Sequence, residues 1–367
     1  MKLGFVIYGS LDMLSGGYLY DRKLVEYLRT QGDTVDVISL PWRNFAAHLT
    51  DNLWFRIWSP GACSRKFRQQ AVGLQKFDII IQDELNHPSL ILANAGKHPC
   101  PVVSLVHHLR CSELRPKWQN DLYRLVEKKY LQSVDGFIFN SQTTKSAIDD
   151  LMVSAKPSIV AYPPTDRFGD VISEDKIKER VNSRELRILF LGNVIERKGL
   201  HTLLEAFFIL HPSVFSLDIV GSLITDTAYA QALQKQVVVN GLSSFVRFHG
   251  ALDNDPLKGM LKQAHVLVVP SSYEGFGIVY LEGMAFGLPA IGTTAGAASE
   301  IIADSETGYL IAPDDAKTLA ARLALLANDR DLLARMSVNA LRRYEAQPKW
   351  EQTAGQIREF LFERIRK

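Results

Sequence analysis

Apolar residues along this chain fall into short unbroken runs separated by amphipathic stretches. Residues 3–8, 78–82, 102–106 and 136–140 are runs of this kind. They are too short for buried helices and lack alternation, so they read as strands covered on both faces of a parallel sheet. Residues 34–40 make a further strand after Gly32 closes a helix over 18–30, whose Leu19, Leu24, Val25 and Leu28 fall on roughly one face. Residues 122–132 read as a helix, and Ser141 is placed to cap another over 142–152. This is the rhythm of a doubly wound sheet.

The rhythm pauses at Tyr162-Pro163-Pro164 and at a charged stretch without apolar period, which together predict a linker over 165–185. It then restarts. Strands are expected at 186–191, 216–220, 246–249, 266–269 and 289–292, and helices at 200–210, 229–239, 278–286 and 316–328. An amphipathic helix begins at Trp350. The expected architecture is therefore α/β, with two doubly wound Rossmann-like domains over 1–164 and 186–349. Such sheets bind ligands at the carboxyl ends of their strands, and two facing each other would make a deep central cleft.

Length and composition agree with this picture. The chain has 367 residues, 47% hydrophobic and 22% charged, enough for two globular domains. A net charge of +2 makes nucleic acid a poor default partner. Three cysteines without zinc-ligand spacing predict neither a disulfide framework nor a structural metal site. No leader-like N-terminus or apolar run of spanning length is present, which predicts a cytoplasmic protein.

Chemistry concentrates in residues 271–300. Glu274 follows a strand, Gly275 and Gly277 bracket Phe276, and a helix begins at Ile278. Backbone N–H groups at such a turn form an anion site. Glu282, eight positions after Glu274, is placed to accept from a vicinal diol, as an acid does with a ribose in dinucleotide folds. A second cluster, Gly192-Asn193-Val194-Ile195-Glu196-Arg197-Lys198-Gly199, also joins a strand to a helix. Two cations at a helix N-terminus oppose its dipole, an arrangement that makes sense around a bound anion. Gly16-Gly17 would let backbone approach a ligand after the first strand. His107-His108 follow another strand, so one of them is expected to face the ligand. There is no G-x-G-x-x-G, which argues against a dinucleotide dehydrogenase. Asp253-Asn254-Asp255, followed by Pro256, reads as a turn, so no metal is assigned.

These residues together resemble the retaining nucleotide-sugar glycosyltransferases of family 4, also called group 1, with the GT-B fold. The resemblance covers nearly the whole chain. It rests on the Glu274-x7-Glu282 element with its following Gly-Leu-Pro, the loop around Arg197-Lys198-Gly199, the early Gly-Gly, Asn140-Ser141, Tyr162-Pro163-Pro164 and the Trp350 helix. The resemblance implies that this last helix, over 350–367, crosses back onto the N-terminal domain. It implies that Arg197 and Lys198 neutralise a donor diphosphate and Glu282 holds the ribose. Glu274 and His107 would lie beside the donor sugar, with the backbone of Phe276, Gly277 and Ile278 touching its hydroxyls. Gly16, Gly17 and Gly192 would line the phosphates. His108 stands where many members have Asp, which leaves the choice between the two histidines open. No cofactor is implied beyond the UDP- or GDP-linked donor. The implied work is metal-independent transfer to a glycan or lipid-linked acceptor in cell-envelope glycan synthesis. Two other activities remain open on this reading: a nucleotide-sugar epimerase of the same fold, and a sugar-binding protein without catalysis.

The acceptor side is unusual. Residues 41–77 hold Arg43, Arg56, Arg65, Lys66, Arg68 and Lys76 against the single acid Asp51, with Trp42, Trp54, Phe55 and Trp58 interleaved. Bases with aromatics predict contact with an anionic surface at the inner face of a membrane or with a lipid-linked acceptor.

Overall fold

The computed structural model describes residues 1–13, 15–56, 77–95, 99–152, 154–164, 167–169, 172–210 and 214–365, with the side chains of 53–56 excepted. The chain divides into two compact units, Met1–Pro164 with Pro348–Lys367, and Thr165–Gln347.

The first unit is built on a parallel six-stranded sheet in the order β2-β1-β3-β4-β5-β6. Its strands are β1 (Lys2–Tyr8), β2 (Thr34–Leu40), β3 (Ile79–Asp83), β4 (Val102–Val106), β5 (Gly136–Phe139) and β6 (Ser158–Val160). β3, β4 and β5 are buried along their whole length, as their unbroken apolar runs require. The strand order reverses between β1 and β3. The helix Gly16–Thr30 starts on Ser15, whose hydroxyl accepts from the Tyr18 amide, so Gly16 and Gly17 form its first turn rather than a free loop. The helix Trp350–Phe360 returns to pack on it, with Tyr20 and Trp350 ring centroids 5.3 Å apart at a steep angle. Thr353 donates to the Tyr162 carbonyl at 2.9 Å, and Tyr20 to that of Ala161.

The second unit repeats the architecture with the order β12-β11-β10-β7-β8-β9, again all parallel. Its strands are β7 (Leu186–Leu191), β8 (Phe215–Val220), β9 (Val246–Gly250), β10 (Val266–Val268), β11 (Ala290–Thr293) and β12 (Gly308–Ile311). The order reverses between β7 and β10.

Several expectations change. The polar stretch read as a linker over 165–185 holds the helix Glu174–Val181, with Ile177 and Val181 buried in the core of the second unit. Two apolar residues four apart are enough to seat a short helix whose other face is solvated. Asp253-Asn254-Asp255 is not a turn but the start of the helix Asn254–Gln263, where Pro256 fits because first-turn N–H groups have no intrahelical partner. The helices Phe45–Arg56 and Arg330–Glu345, and strands β6 and β12, had no expectation at all. Residues 57–76, including Trp58, Arg65, Lys66, Arg68 and Lys76, lie outside the described residues, as do the side chains of Trp54, Phe55 and Arg56.

The returning helix is tied by charge as well as packing. Arg358 Nε donates to Asp33 Oδ2 at 2.6 Å. Burial alone would raise the Asp33 carboxyl, but the hydrogen bonds and charges of Arg358 and the Met1 ammonium outweigh it and hold the group below the usual range. A carboxyl depressed in the folded state adds stability above its unfolded value near pH 4, and that gain disappears as pH falls through the folded value. Arg358→Met should therefore lower stability by about 1 kcal/mol at neutral pH, Arg358 being partly solvated. The deficit should shrink in acid. Thermal melts of both proteins at pH 7 and at about pH 2, well below the ordinary carboxylate range, check this, and an equal deficit at both would contradict it.

Candidate active site

In the second unit the residues expected to carry chemistry gather where the strand order reverses, at the carboxyl ends of β7 and β10. Two helices leave a doubly wound sheet in opposite directions at such a point, which opens a crevice there. The loop after β7 carries Gly192, Arg197 and Lys198, and the loop after β10 carries Glu274.

Glycines let these loops meet. Gly199 has φ +68°, and a Cβ there would fall 2.0 Å from the Pro270 carbonyl oxygen. Gly296, with φ +80°, brings the loop after β11 equally close to the Glu274 backbone, and the Ala297 amide donates to the Glu274 carbonyl at 2.8 Å. No other residue permits both the backbone conformation and the approach. Polar contacts complete the lacing. The Ser272 amide donates to the Arg197 carbonyl at 2.8 Å, and Arg197 Nη1 donates to the Tyr273 carbonyl at 2.7 Å.

The result is a buried ion pair. Lys198 Nζ donates to Glu274 Oε1 at 2.5 Å, and Ser271 Oγ donates to the same oxygen at 2.6 Å. The side chains are 14% and 8% exposed, little enough that water screens the pair weakly. Burial pushes the Glu274 carboxyl up, but Lys198 and Arg197 outweigh it and hold it below the ordinary value. Burial also lowers the Lys198 ammonium, with Glu274 opposing and Arg197 assisting. Glu274 is thus held as a carboxylate beside the Lys198 ammonium.

Glu282 is placed differently. It is buried in the helix Ile278–Met284 and accepts from Arg167 Nη1 at 3.1 Å. Burial raises its carboxyl, and Arg167 only partly opposes this. Phe276 directs its side chain into the core of the unit, so only its backbone is available to a ligand. Gly277 precedes the helix at φ +92°, with Ile278 as the first helical residue.

In the first unit, Gly17 and His107 come together at the β1/β3 reversal, where a Cβ on Gly17 would lie 3.2 Å from the His107 ring. Gly16, one residue earlier, is exposed. His107 Nε2 lies 3.1 Å from Asp21 Oδ1. Its carbonyl accepts from Asn140 Nδ2 at 2.8 Å, which links the loops after β4 and β5. Burial raises the Asp21 carboxyl to about 7, a hydrogen bond with Asp83 partly opposing. Burial and the Asp21 charge lift Asp83 as well. Burial lowers His107, with Asp83 and Glu84 opposing. His108 instead pairs with Glu113 at 3.1 Å.

Sequence reasoning missed Ser271, Arg167, Asp21 and Asp83. A Ser three positions before Glu274 was a visible cue for the first, and the helical spacing from Gly17 for Asp21. Arg167 and Asp83 carried no local signal, because only the fold brings them to their partners. Two buried groups among the described residues also bring potential metal-ligand atoms within 4.8 Å of one another, Asp21 with Asp83 and His107, and Glu84 with His87 and Glu127.

Comparison with known proteins follows the division of the chain. The family described as "Glycosyl transferases group 1" matches residues 171–343, and "Glycosyltransferase Family 4" matches residues 20–167. The phosphatidyl-myo-inositol mannosyltransferase of Mycobacterium leprae is 26% identical over 97% of this chain and 95% of its own. Among solved structures, sucrose-phosphate synthase from Thermosynechococcus elongatus superposes with a TM-score of 0.78 at 22% identity, covering 98% of this chain and 99% of that one. HepE of Anabaena, solved in complex with UDP and glucose, gives 0.75 at 19% identity, covering 99% and 100%.

The buried pair makes a stability prediction of its own. Lys198→Met leaves Glu274 buried without its cation and should cost about 3 kcal/mol. Adding Glu274→Gln removes the stranded charge, so the double variant should be more stable than the sum of the single changes implies. Denaturant unfolding of the four proteins tests this, and simple additivity would show that the two groups do not interact.

Proposed function

The chain belongs to the group 1 glycosyltransferases and has the GT-B fold, and on that premise we propose that it moves a hexose from a UDP- or GDP-linked donor to a glycan or lipid-linked acceptor, with retention and without a metal. The observation that carries this reading is the buried Lys198 beside Glu274, with Arg197 adjoining, at the β7/β10 reversal. A diphosphate there meets a cation that has already lost its water. The UDP and glucose held by HepE, and the mannosyl transfer in the name of the Mycobacterium leprae relative, support a nucleotide-linked hexose.

The chemistry follows from charge. Departure of the leaving group builds negative charge on the diphosphate and cationic character on the sugar. Arg197 and Lys198 stabilise the first, and being fixed they need no reorganisation. These two cations take the part a divalent ion plays in other transferases. The Glu274 carboxylate, released by Lys198 as the phosphates arrive, lies beside the sugar and favours its cationic face. Glu282 accepts from the ribose hydroxyls in exchange for Arg167. The backbone of Phe276, Gly277 and Ile278 contacts the sugar hydroxyls, and Gly192 leaves room for the phosphates. In the first unit we assign His107, Gly16 and Gly17 to ligand contact. The acceptor attacks the face the diphosphate leaves, and a departing phosphate oxygen takes its proton, so no separate base is needed.

A thermal-shift panel of UDP, GDP, ADP and their sugar conjugates, with and without EDTA, tests the donor. One base should stabilise the protein by about 2.7 kcal/mol at 100 times its dissociation constant, unchanged by EDTA. Arg197→Ala should lower kcat/KM by about a hundredfold. Glu282→Gln should weaken donor binding by about tenfold with a smaller effect on kcat. No shift with any nucleotide would overturn the donor reading, an EDTA-sensitive shift would overturn metal independence, and an inverted anomer in the product would overturn retention.

A further inference from the structure

The first unit carries a surface that the donor chemistry does not use. On the helix Lys117–Gln132, Trp118, Leu122 and Leu125 are 63%, 56% and 61% exposed, and Leu114 just before it is 63% exposed. At 3.6 residues per turn, Trp118, Leu122, Leu125 and Lys129 share an arc of about 60°. Lys117, Arg124 and Lys128 form one flank of that stripe, with Asp121 the only acid beside them. Large apolar side chains grouped this way on a surface mark a contact site.

The opposite face explains why the helix stands firm while these side chains face solvent. Glu127, Tyr130 and Leu131 are buried beneath it. Glu127 accepts from the amides of Arg110 at 2.6 Å and Cys111 at 3.1 Å. Tyr123 meets Phe45 edge-on at 4.8 Å, and the guanidinium groups of Arg110 and Arg115 lie over its ring. Phe45 is the first residue of the helix Phe45–Arg56, and the exposed Trp42 lies in the loop just before it.

We propose that the outer face of the helix Lys117–Gln132 docks on an anionic lipid surface. A helix with Trp and Leu on one face and Lys and Arg beside them is suited to lie in a headgroup layer, the ring and leucines entering the acyl boundary and the bases meeting lipid phosphates. Charge decides against a second copy of the chain. A symmetric self-contact places the same patch on both sides, so four bases would face four bases with one acid on each side to offset them. The proposal deepens the lipid-linked branch of the acceptor reading and rests on it only there, since vesicle binding needs no nucleotide.

The test is co-sedimentation of the full chain with vesicles of phosphatidylglycerol and phosphatidylcholine, and with phosphatidylcholine alone. Wild type should bind the anionic vesicles, release them at high salt, and leave the neutral ones. The combined change Trp118→Ser, Leu122→Ser and Leu125→Ser, and separately Lys117→Glu, Arg124→Glu and Lys128→Glu, should each reduce binding by more than about tenfold. Donor turnover and the melting temperature should be unchanged, which separates this result from loss of the fold or of the donor site. Wild type that ignores anionic vesicles overturns the proposal. So does binding that survives both combined changes, or binding lost only through Arg65→Glu, Lys66→Glu and Arg68→Glu. A wild-type dimer that the serine changes convert to monomer in light scattering would assign the face to a second copy instead.

Discussion

The buried contact between Lys198 and Glu274 is the constraint around which the second unit is arranged. Removing two charges from water is expensive, and their attraction offsets the loss only with good geometry and additional hydrogen bonds. Ser271 supplies one such bond, and Arg197 adds positive potential while held by the Tyr273 carbonyl. The close approaches at Gly199 and Gly296 exist because the loops must converge on this pair. A stable protein gains little from such an arrangement compared with an apolar one. It becomes useful when an anion can enter and take over the lysine, which is how a donor diphosphate would be met.

The two units reach their chemistry by opposite electrostatic routes. In the second, cations hold an acid ionised inside the protein. In the first, burial drives Asp21 and Asp83 toward their protonated forms and His107 toward neutrality. Each of these shifts disfavours the charged form of its group. In each sheet the residues concerned stand at the point of strand reversal, because that is where a parallel sheet leaves room beside its strand ends.

The helix Lys117–Gln132 buries Glu127, Tyr130 and Leu131 on its inner face, and Glu127 accepts from the Arg110 and Cys111 amides. Its outer leucines and tryptophan therefore add nothing to the internal core and are free to serve a surface. A rigid platform of this kind loses little conformational entropy on docking.

Much of the fold is legible along the chain itself. Unbroken apolar runs identified most of the parallel strands, since a strand covered on both faces cannot alternate. Glu274 with its glycines, and Arg197 with Lys198, stand out as two clusters in the sequence, and the fold brings Lys198 to Glu274. Other features were decided only by the tertiary structure. The partners of those residues are distant in sequence: Arg167 reaches Glu282 across 115 positions, and Asp21 meets His107 across 86. Glu174–Val181 looked like a linker because two apolar side chains are too few to declare a helix, and burial against the second unit is what makes it one. Whether Trp118 and its neighbours lie inside or outside was equally undecided by pattern, since an apolar stripe reads the same from either side. Local chemistry is written in neighbouring residues, whereas burial and long-range pairing depend on which surfaces the folded chain brings together.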